Sequence, residues 1–296
     1  MKKAVCIFIS IWIIVFVTQE ITHSKKAYTN AIQTESTNST DIKNFNNIDK
    51  ENLSPDIKSI IDRGKLRVAM VGGERPGFCY HDQNGELRGV DVNLAEGIAE
   101  ALGVDLEIDQ STDTYDNLAN RIIERSVDLI ISEYSESPKR SMYLTQSDPY
   151  LKVRFGLMAN KSELAKNNIE KNPLMFIKEN KVKVGVLKGS SHVRTAYALF
   201  ENSDIVEMDS YEELISKVLN GELFAYFCSE DEFVYDYISN ADLLLYTKVF
   251  VFSDAYDNYC VGIHNDCTGL LRFVNSYIDL MDRVTIYDVE KEINRQ

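Results

Sequence analysis

The stretch LRVAMVGGERPGFCYHDQNGELRGVDVNLAEGIAEALGVDLEID, residues 66–109, decides the fold. It opens on a β-rich run, LRVAMV, that stops at Gly72-Gly73. QNGE at 83–86, set between aromatic and apolar residues, carries the Asn-Gly chemistry of a hairpin turn. Asp91 is placed to cap a helix on which Leu94, Ala95, Ile98, Ala99 and Leu102 share one face, and Gly103 stops it. VDLEID then returns to strand. Downstream, Tyr115, Leu118, Ala119, Ile122 and Ile123 recur at helical spacing before the strand VDLII (127–131). Strands separated by helices of this length predict βαβ units and a parallel sheet.

The same rhythm returns later in the chain. VKVGV (182–186) reads as a strand, Gly189-Ser190-Ser191 opens a helix running to about Phe200, and DIVEM (204–208) is a short strand. YEELISKVL is a helix capped by Asp209 or Ser210, and FAYFC (224–228) is a strand. Two α/β lobes of similar build follow from this repetition. Ligands of open α/β sheets bind beyond the carboxyl ends of the strands, so two such lobes place theirs in the cleft between them.

Composition agrees with this and narrows the function. The chain has 296 residues, 44% of them hydrophobic, which is enough for two compact cores. With 46 acidic side chains against 32 basic ones and a net charge of −14, the chain lacks the clustered Lys and Arg that nucleic-acid phosphates demand. At the N-terminus, two lysines precede an apolar run from Ala4 to Val17, the pattern of an export signal over residues 1–23. The run is shorter than the ~20 apolar residues of a membrane span. An A-x-A-like cleavage site is not obvious, so a cleaved signal peptide and an uncleaved signal anchor are both open. Residues 24–54, rich in Asn, Thr, Ser and Lys, read as a flexible polar spacer. Outside the signal four cysteines remain: Cys79, Cys228, Cys260 and Cys267. Export permits disulfides, with Cys260–Cys267 the nearest pair, and buried free thiols are the alternative. The histidines are scattered and no CxxC occurs, so neither a metal site nor any other cofactor is expected.

Six motifs stand in order: GKLRVAM (64–70), PGFCYHDQNGELRGVDVNLAEGIAEALGV (76–104), VDLIISEYSESPKR (127–140), SDPY (147–150), KVGVLKGSS (183–191) and DSYEELISKVLNGE (209–222). Together they resemble the bacterial extracellular solute-binding proteins of family 3, the polar amino-acid uptake type with the periplasmic binding protein type II fold. The resemblance covers about residues 55–296. It implies a first lobe from 55–152 plus 261–296, a second from 157–255, and two crossing hinge strands at 151–156 and 255–260. It further implies a small polar, carboxylate-bearing solute in the cleft, delivery to a membrane ABC permease, and a monomeric binding protein. In the family pattern Arg140 holds the ligand carboxylate, for which a guanidinium offers two parallel charge-assisted hydrogen bonds. Ser135 matches the hydroxyl beside it. Gly189, Ser190 and Ser191 match the start of the second-lobe helix, whose free N–H groups favour an anion. Phe78 matches the family's cleft aromatic, and Lys188 adds a charge beside the helix start.

Several positions depart from the pattern and leave the solute open. Arg75, preceded by Glu74, stands where relatives carry a stacking aromatic. Glu133 replaces a glycine whose carbonyl receives the ligand's amino group. Ser229, followed by Glu230 and Asp231, replaces the aspartate that pairs with the ligand ammonium. The C-terminal region lacks the usual aromatic ending, and the chain's only tryptophan is Trp12. Two other functions compete with solute uptake: a ligand sensor without a transport role, and an enzyme on the same scaffold resembling cyclohexadienyl dehydratase. No nucleophile elbow or phosphate loop supports catalysis, so a non-enzyme is expected.

Overall fold

The first strand, β1 (Lys65–Val71), buries Leu66 and all of Val68 to Val71 except at its edge, the near-continuous apolar run of a strand covered on both faces. In the computed structural model, residues 51–112, 114–169 and 172–295 are described. The export-signal residues and nearly all of the spacer lie outside them. Helix α1 (Pro55–Arg63) leads into β1 through Gly64, whose φ of 73° closes the helix in the left-handed region. A hairpin follows, β2 (Tyr80–His81) against β3 (Leu87–Arg88), turning where QNGE predicts; Asp82 Oδ1 accepts the N–H groups of Asn84 and Glu86. Then come α2 (Val90–Leu102), β4 (Asp105–Thr112), α3 (Tyr115–Ile123), β5 (Leu129–Ile130) and β6 (Thr145–Gln146).

The chain next enters β7 (Leu151–Asn160) and builds a second set: α4 (Lys161–Lys166), α5 (Leu174–Glu179), β8 (Lys183–Leu187), α6 (His192–Leu199), β9 (Asp204–Met208), α7 (Tyr211–Leu219), β10 (Ala225–Ser229), α8 (Glu230–Ser239) and α9 (Leu243–Tyr246). It returns along β11 (Thr247–Tyr259) to β12 (Gly262–Ile263), α10 (Thr268–Leu280) and α11 (Ile286–Ile293). One sheet has the order β4-β1-β5-β12-β6 and the other β11-β7-β10-β8-β9. β1 runs parallel to β4 and β5, and β8 runs parallel to β9 and β10, which are the βαβ units the periodicity demands. β7 and β11 form one antiparallel ladder that joins the two halves, with Leu151 opposite Tyr259 and Asn160 opposite Thr247. The architecture is the two-lobed α/β fold, two doubly wound sheets linked by two crossing strands.

Strand alternation explains the double covering. Leu66, Val68 and Met70 pack on Ala95 and Ile98 of α2, whereas Ala69 and Val71 face Leu118 and Ile122 of α3. In the second lobe Ala225 and Phe227 share a core with Val184 and Ala196, while Tyr226 and Cys228 face Leu214 and Val218 of α7. The last two helices return to the first lobe, where Leu270, Val274, Val289 and Ile293 complete its core.

One expectation needs correction, and the choice between a disulfide and free thiols is resolved. Asp91 does not cap α2. Gly89 holds the cap position, and Asp91, one residue inside the helix, is buried with its carboxylate accepting the N–H of Glu133 at 2.8 Å and the hydroxyl of Tyr150 at 2.7 Å. Nor do Cys260 and Cys267 pair, since all four described cysteines are free thiols. The Cys260 thiol turns toward the Asn258 carbonyl at the end of β11, while Cys267 caps α10. Burial pushes Cys79 and Cys260 up to about 12, far from reactive thiolates.

Gly89 is required by its backbone. Its φ is 125°, and a Cβ there would stand 2.1 Å from the Phe78 carbonyl oxygen, which receives the Asp91 N–H. Gly89→Ala is expected to cost about 3 kcal/mol, strain and displaced backbone together, read as a lowered urea midpoint. Gly85→Ala, with φ of 79° and open space around it, is the control and should cost less. Equal losses in the two variants would dismiss the Phe78 contact as the cause.

Candidate functional site

Side chains that approach from both lobes and from β11 define the site. After β5 the chain runs through SESPKR into a single 3-10 turn, Arg140–Met142. The Arg140 guanidinium lies over the Tyr134 ring, 3.9 Å from its centroid, and donates from Nη1 to the Ser135 carbonyl at 2.7 Å. These contacts fix its orientation while using one of its five N–H donors on a protein acceptor among the described residues. Opposite it, Gly189 takes a φ of 74°, which lets β8 turn into α6 through Ser190 and Ser191. Ser190 Oγ donates to the Leu187 carbonyl. The Ser135 and Ser191 hydroxyl oxygens lie 3.0 Å apart across the lobes, and both reach Asp257 Oδ2 of β11, at 3.0 and 3.2 Å. His192 Nε2 stands 3.5 Å from the same oxygen, its ring edge-on to Phe155. A cavity of about 1120 Å³ opens here, lined by Arg140, Gly189, Ser190, Ser191, Arg194 and Tyr197 among others.

A second cavity of about 820 Å³ has Glu133, Asp231, Glu232 and Asp236 in its lining and is acidic there. Arg75 donates from Nε and Nη2 to the two oxygens of Glu133, at 2.9 and 2.7 Å, and from Nη2 to Glu232 of α8 at 3.0 Å. Glu133 sits at φ 47°, a left-handed conformation unusual for glutamate. Glu133, Asp231 and Glu232 each bring one oxygen to within 4.8 Å of the others. Asp231 Oδ2 accepts the Tyr259 hydroxyl, and its buried Oδ1 has no hydrogen-bond partner among the described residues. This group can hold a cation, and Arg75 already lays a guanidinium against two of its members. Burial pushes the Asp91 carboxyl behind it up to about 8, and the Glu133 charge adds to the rise. Asp231 is raised by burial and then by Glu232 and Glu133. For Glu232 burial also outweighs the opposing Arg75 charge. Burial works against the Arg75 charge too, but Glu133 overcomes it and holds the guanidinium firmly ionised.

Tyr115 connects the two regions. Arg140 lies 5.8 Å from its ring centroid, and its hydroxyl feels the charges of Arg75, Glu133 and Glu232. The Arg140 guanidinium and the Arg75–Glu133–Glu232 charges thus both act on one aromatic side chain.

Of the residues singled out in the sequence, Arg140, Gly189, Ser190 and Ser191 line the larger cavity, and Ser135 joins Ser191 at its floor. Glu74, Arg75, Phe78 and Glu133 line the smaller one. Glu74 is held at its rim by the His81 ring and N–H, whose hydrogen bonds lower its carboxyl below the usual range. Ser229 and Glu230 line neither. Ser229 is fully buried against the Tyr259 hydroxyl. Glu230 turns to the crossing strand, accepting the Arg154 backbone N–H at 2.8 Å and its guanidinium at 2.6 and 2.9 Å. Lys188 is exposed and pairs with Asp209. The sequence reading missed Tyr115, His192, Glu232 and Asp257. Of these only Glu232 left a trace, as the last acid of the SEDE run after β10.

Known proteins of related sequence share this two-lobed fold. The profile described as bacterial extracellular solute-binding proteins, family 3, matches residues 66–289. A probable amino-acid ABC transporter periplasmic-binding protein of Sinorhizobium fredii is 25% identical over 176 residues, 57% of this chain and 55% of its own. A cyclohexadienyl dehydratase of Pseudomonas aeruginosa is 32% identical over 93 residues, 31% of this chain and 34% of its own. The chain thus spans about half the length of the first relative and a third of the second. Among solved structures, an amino acid ABC transporter substrate-binding protein of Streptococcus pneumoniae bound to L-arginine is 27% identical. It has a TM-score of 0.61, covering 80% of this chain and 96% of that one. A putative ABC-transporter binding component of Wolinella succinogenes complexed with lysine is 25% identical with a TM-score of 0.61, covering 73% and 89%.

Proposed function

The chain belongs to the bacterial extracellular solute-binding proteins, family 3, and from that premise we propose that it captures an amino-acid-like solute bearing both a carboxylate and a cationic group. The observation that carries this reading is a guanidinium and a buried acidic group that both act on Tyr115. Arg140, set over Tyr134, faces the start of α6 and suits a carboxylate. The acidic group Glu133, Asp231 and Glu232 suits the cation. The L-arginine and lysine carried by the two structural relatives have this bipolar form. The exported protein works outside the cytoplasmic membrane as a monomer and hands the solute to an ABC permease. The dehydratase relative matches less than a third of the chain, so its chemistry weighs less here.

A thermal-shift screen over amino acids, dicarboxylates and polyamines tests the reading. L-Arginine and L-lysine are expected to stabilise by ~2.7 kcal/mol at a hundredfold excess over Kd, with polyamines and dicarboxylates far weaker because each lacks one of the two groups. Stabilisation by dicarboxylates with none by L-arginine would overturn it. Turnover of prephenate or arogenate would move the protein to the enzyme class.

A further inference from the structure

Glu133 belongs to the first lobe and Glu232 to the second, and the side chain that joins them is Arg75. Its backbone is pinned in a tight turn: the Arg75 N–H donates to the Cys79 carbonyl, and the Arg75 carbonyl accepts from Phe78 and Cys79. Only the side chain can leave the carboxylates, and at 27% exposure it borders the open cavity into which it would swing. The surrounding elements supply acids and hydroxyls: Asp91 from α2, Tyr115 from α3, Tyr211 from α7, and Asp231 with Glu232 from α8. No second cationic side chain hydrogen-bonds to Glu133 or Glu232 among the described residues.

Resting on the solute reading above, we infer that Arg75 is a tethered surrogate for the cationic group of the solute: its guanidinium holds the carboxylates that a bound cation would use, draws the lobes together through Glu232, and yields only to a competing cation. The charge balance explains the selection. A cationic solute that displaces Arg75 exchanges one positive charge for another. A neutral amino acid, held by its carboxylate at Arg140 with its α-ammonium beside that carboxylate, brings no cationic side chain and would leave Glu133 and Glu232 buried at 4% and 13% exposure without a counter-charge, a costly state in a low-dielectric cleft. Arg75 thus acts as a specificity-determining residue through competition, the repulsive half of recognition.

Two measurements on the full-length protein test this. Spin labels introduced at Tyr143→Cys and Tyr197→Cys, exposed on the lips of the larger cavity, report the interlobe distance. The otherwise wild-type protein without added solute should give one short distance that L-arginine leaves unchanged. Arg75→Gln and, independently, the nearly isosteric Glu232→Gln should each give a longer distance that L-arginine shortens. Without labels, Arg75→Gln should bind L-arginine at least tenfold more tightly than the wild type, with a smaller change for L-glutamine. An unchanged distance in both variants, or L-arginine affinity that is equal or weaker in Arg75→Gln, overturns the inference. The distance in the absence of solute depends on no ligand, so it separates failure of this inference from failure of the solute reading.

Discussion

Arg140→Ala is expected to abolish stabilisation by L-arginine while leaving the melting midpoint without ligand nearly unchanged. A guanidinium–carboxylate pair offers two charge-assisted hydrogen bonds of ~1.5–3 kcal/mol each, so losing both predicts at least a hundredfold weaker binding. The fold tolerates the change because Arg140 sits on a short turn at half-buried depth and its side chain makes one hydrogen bond among the described residues, to the Ser135 carbonyl, plus its contact with the Tyr134 ring. Gln146 Nε2 donates to the same carbonyl at 3.0 Å, which keeps that acceptor satisfied in the variant. Arg140→Lys should recover little, since an ammonium cannot reproduce the planar fork or the stacking. Isothermal titration with L-arginine measures the loss. Unchanged affinity in Arg140→Ala would remove this residue from the site.

The second large effect is on stability against pH. Burial raises Asp91 from an ordinary 3.8 to about 8 and Asp236, despite the hydrogen bond from the Tyr226 hydroxyl, to about 7. A carboxyl whose folded value exceeds its unfolded value lends stability that is complete below the unfolded pKa and is lost as pH rises toward the folded one. Each such group therefore removes up to ~1.4 kcal/mol per pH unit between about pH 4 and its folded value. Asp56 and Asp109 act in the opposite sense. Partial burial raises both, but it is outweighed in sum by hydrogen bonds from Ser54 and the Leu270 and Ile57 N–H groups to Asp56, and from Ser111 and Arg121 to Asp109, so both are lowered and their contributions vanish as pH falls below about 4. Stability is accordingly expected to peak near pH 4 and fall toward pH 8. Asp91→Asn should flatten that fall, because the amide oxygen can accept the Glu133 N–H while its NH₂ donates to a rotated Tyr150 hydroxyl. Urea midpoints at pH 5, 6.5 and 8 decide the matter. A wild-type profile that rises steadily to pH 8 would show Asp91 to be ionised and stably paired.

The fold was legible because its elements announce themselves locally. LRVAMV sorts its side chains between two helices by strand alternation, Gly103 ends α2 at a φ of 68°, and Ser210 accepts the Glu213 N–H as a cap should. Asp91 misled for a physical reason. An acid near a helix start reads as a cap, but whether it points outward or into the core depends on packing that local sequence does not record. The site was legible where it follows a motif, as with Arg140 and the GSS turn, and illegible where it depends on helix phase. In SEDE (229–232), successive helical positions rotate by about 100°, so Glu230 and Glu232 point to different places. One finds Arg154 on the crossing strand and the other Arg75, which is 157 positions away in the chain. Asp257 likewise meets Ser135 across a separation of 122, where no spacing rule applies.

The ladder between β7 and β11 has arms of unequal length. From Leu151–Tyr259 to Arg154–Tyr256 the two strands advance in step, but from Arg154 to Gly156 on one side the partner strand runs from Tyr256 to Val251. The surplus lies where the lobes meet, directly beside the Arg154–Glu230 pair. A connection of this kind behaves as a strap with one taut edge and one slack edge. It can fold toward the slack side by taking up the extra residues, without surrendering the paired bonds at either end. Any bend of this pair is therefore expected to favour the slack side, a direction set by backbone register rather than by any side chain in the cleft.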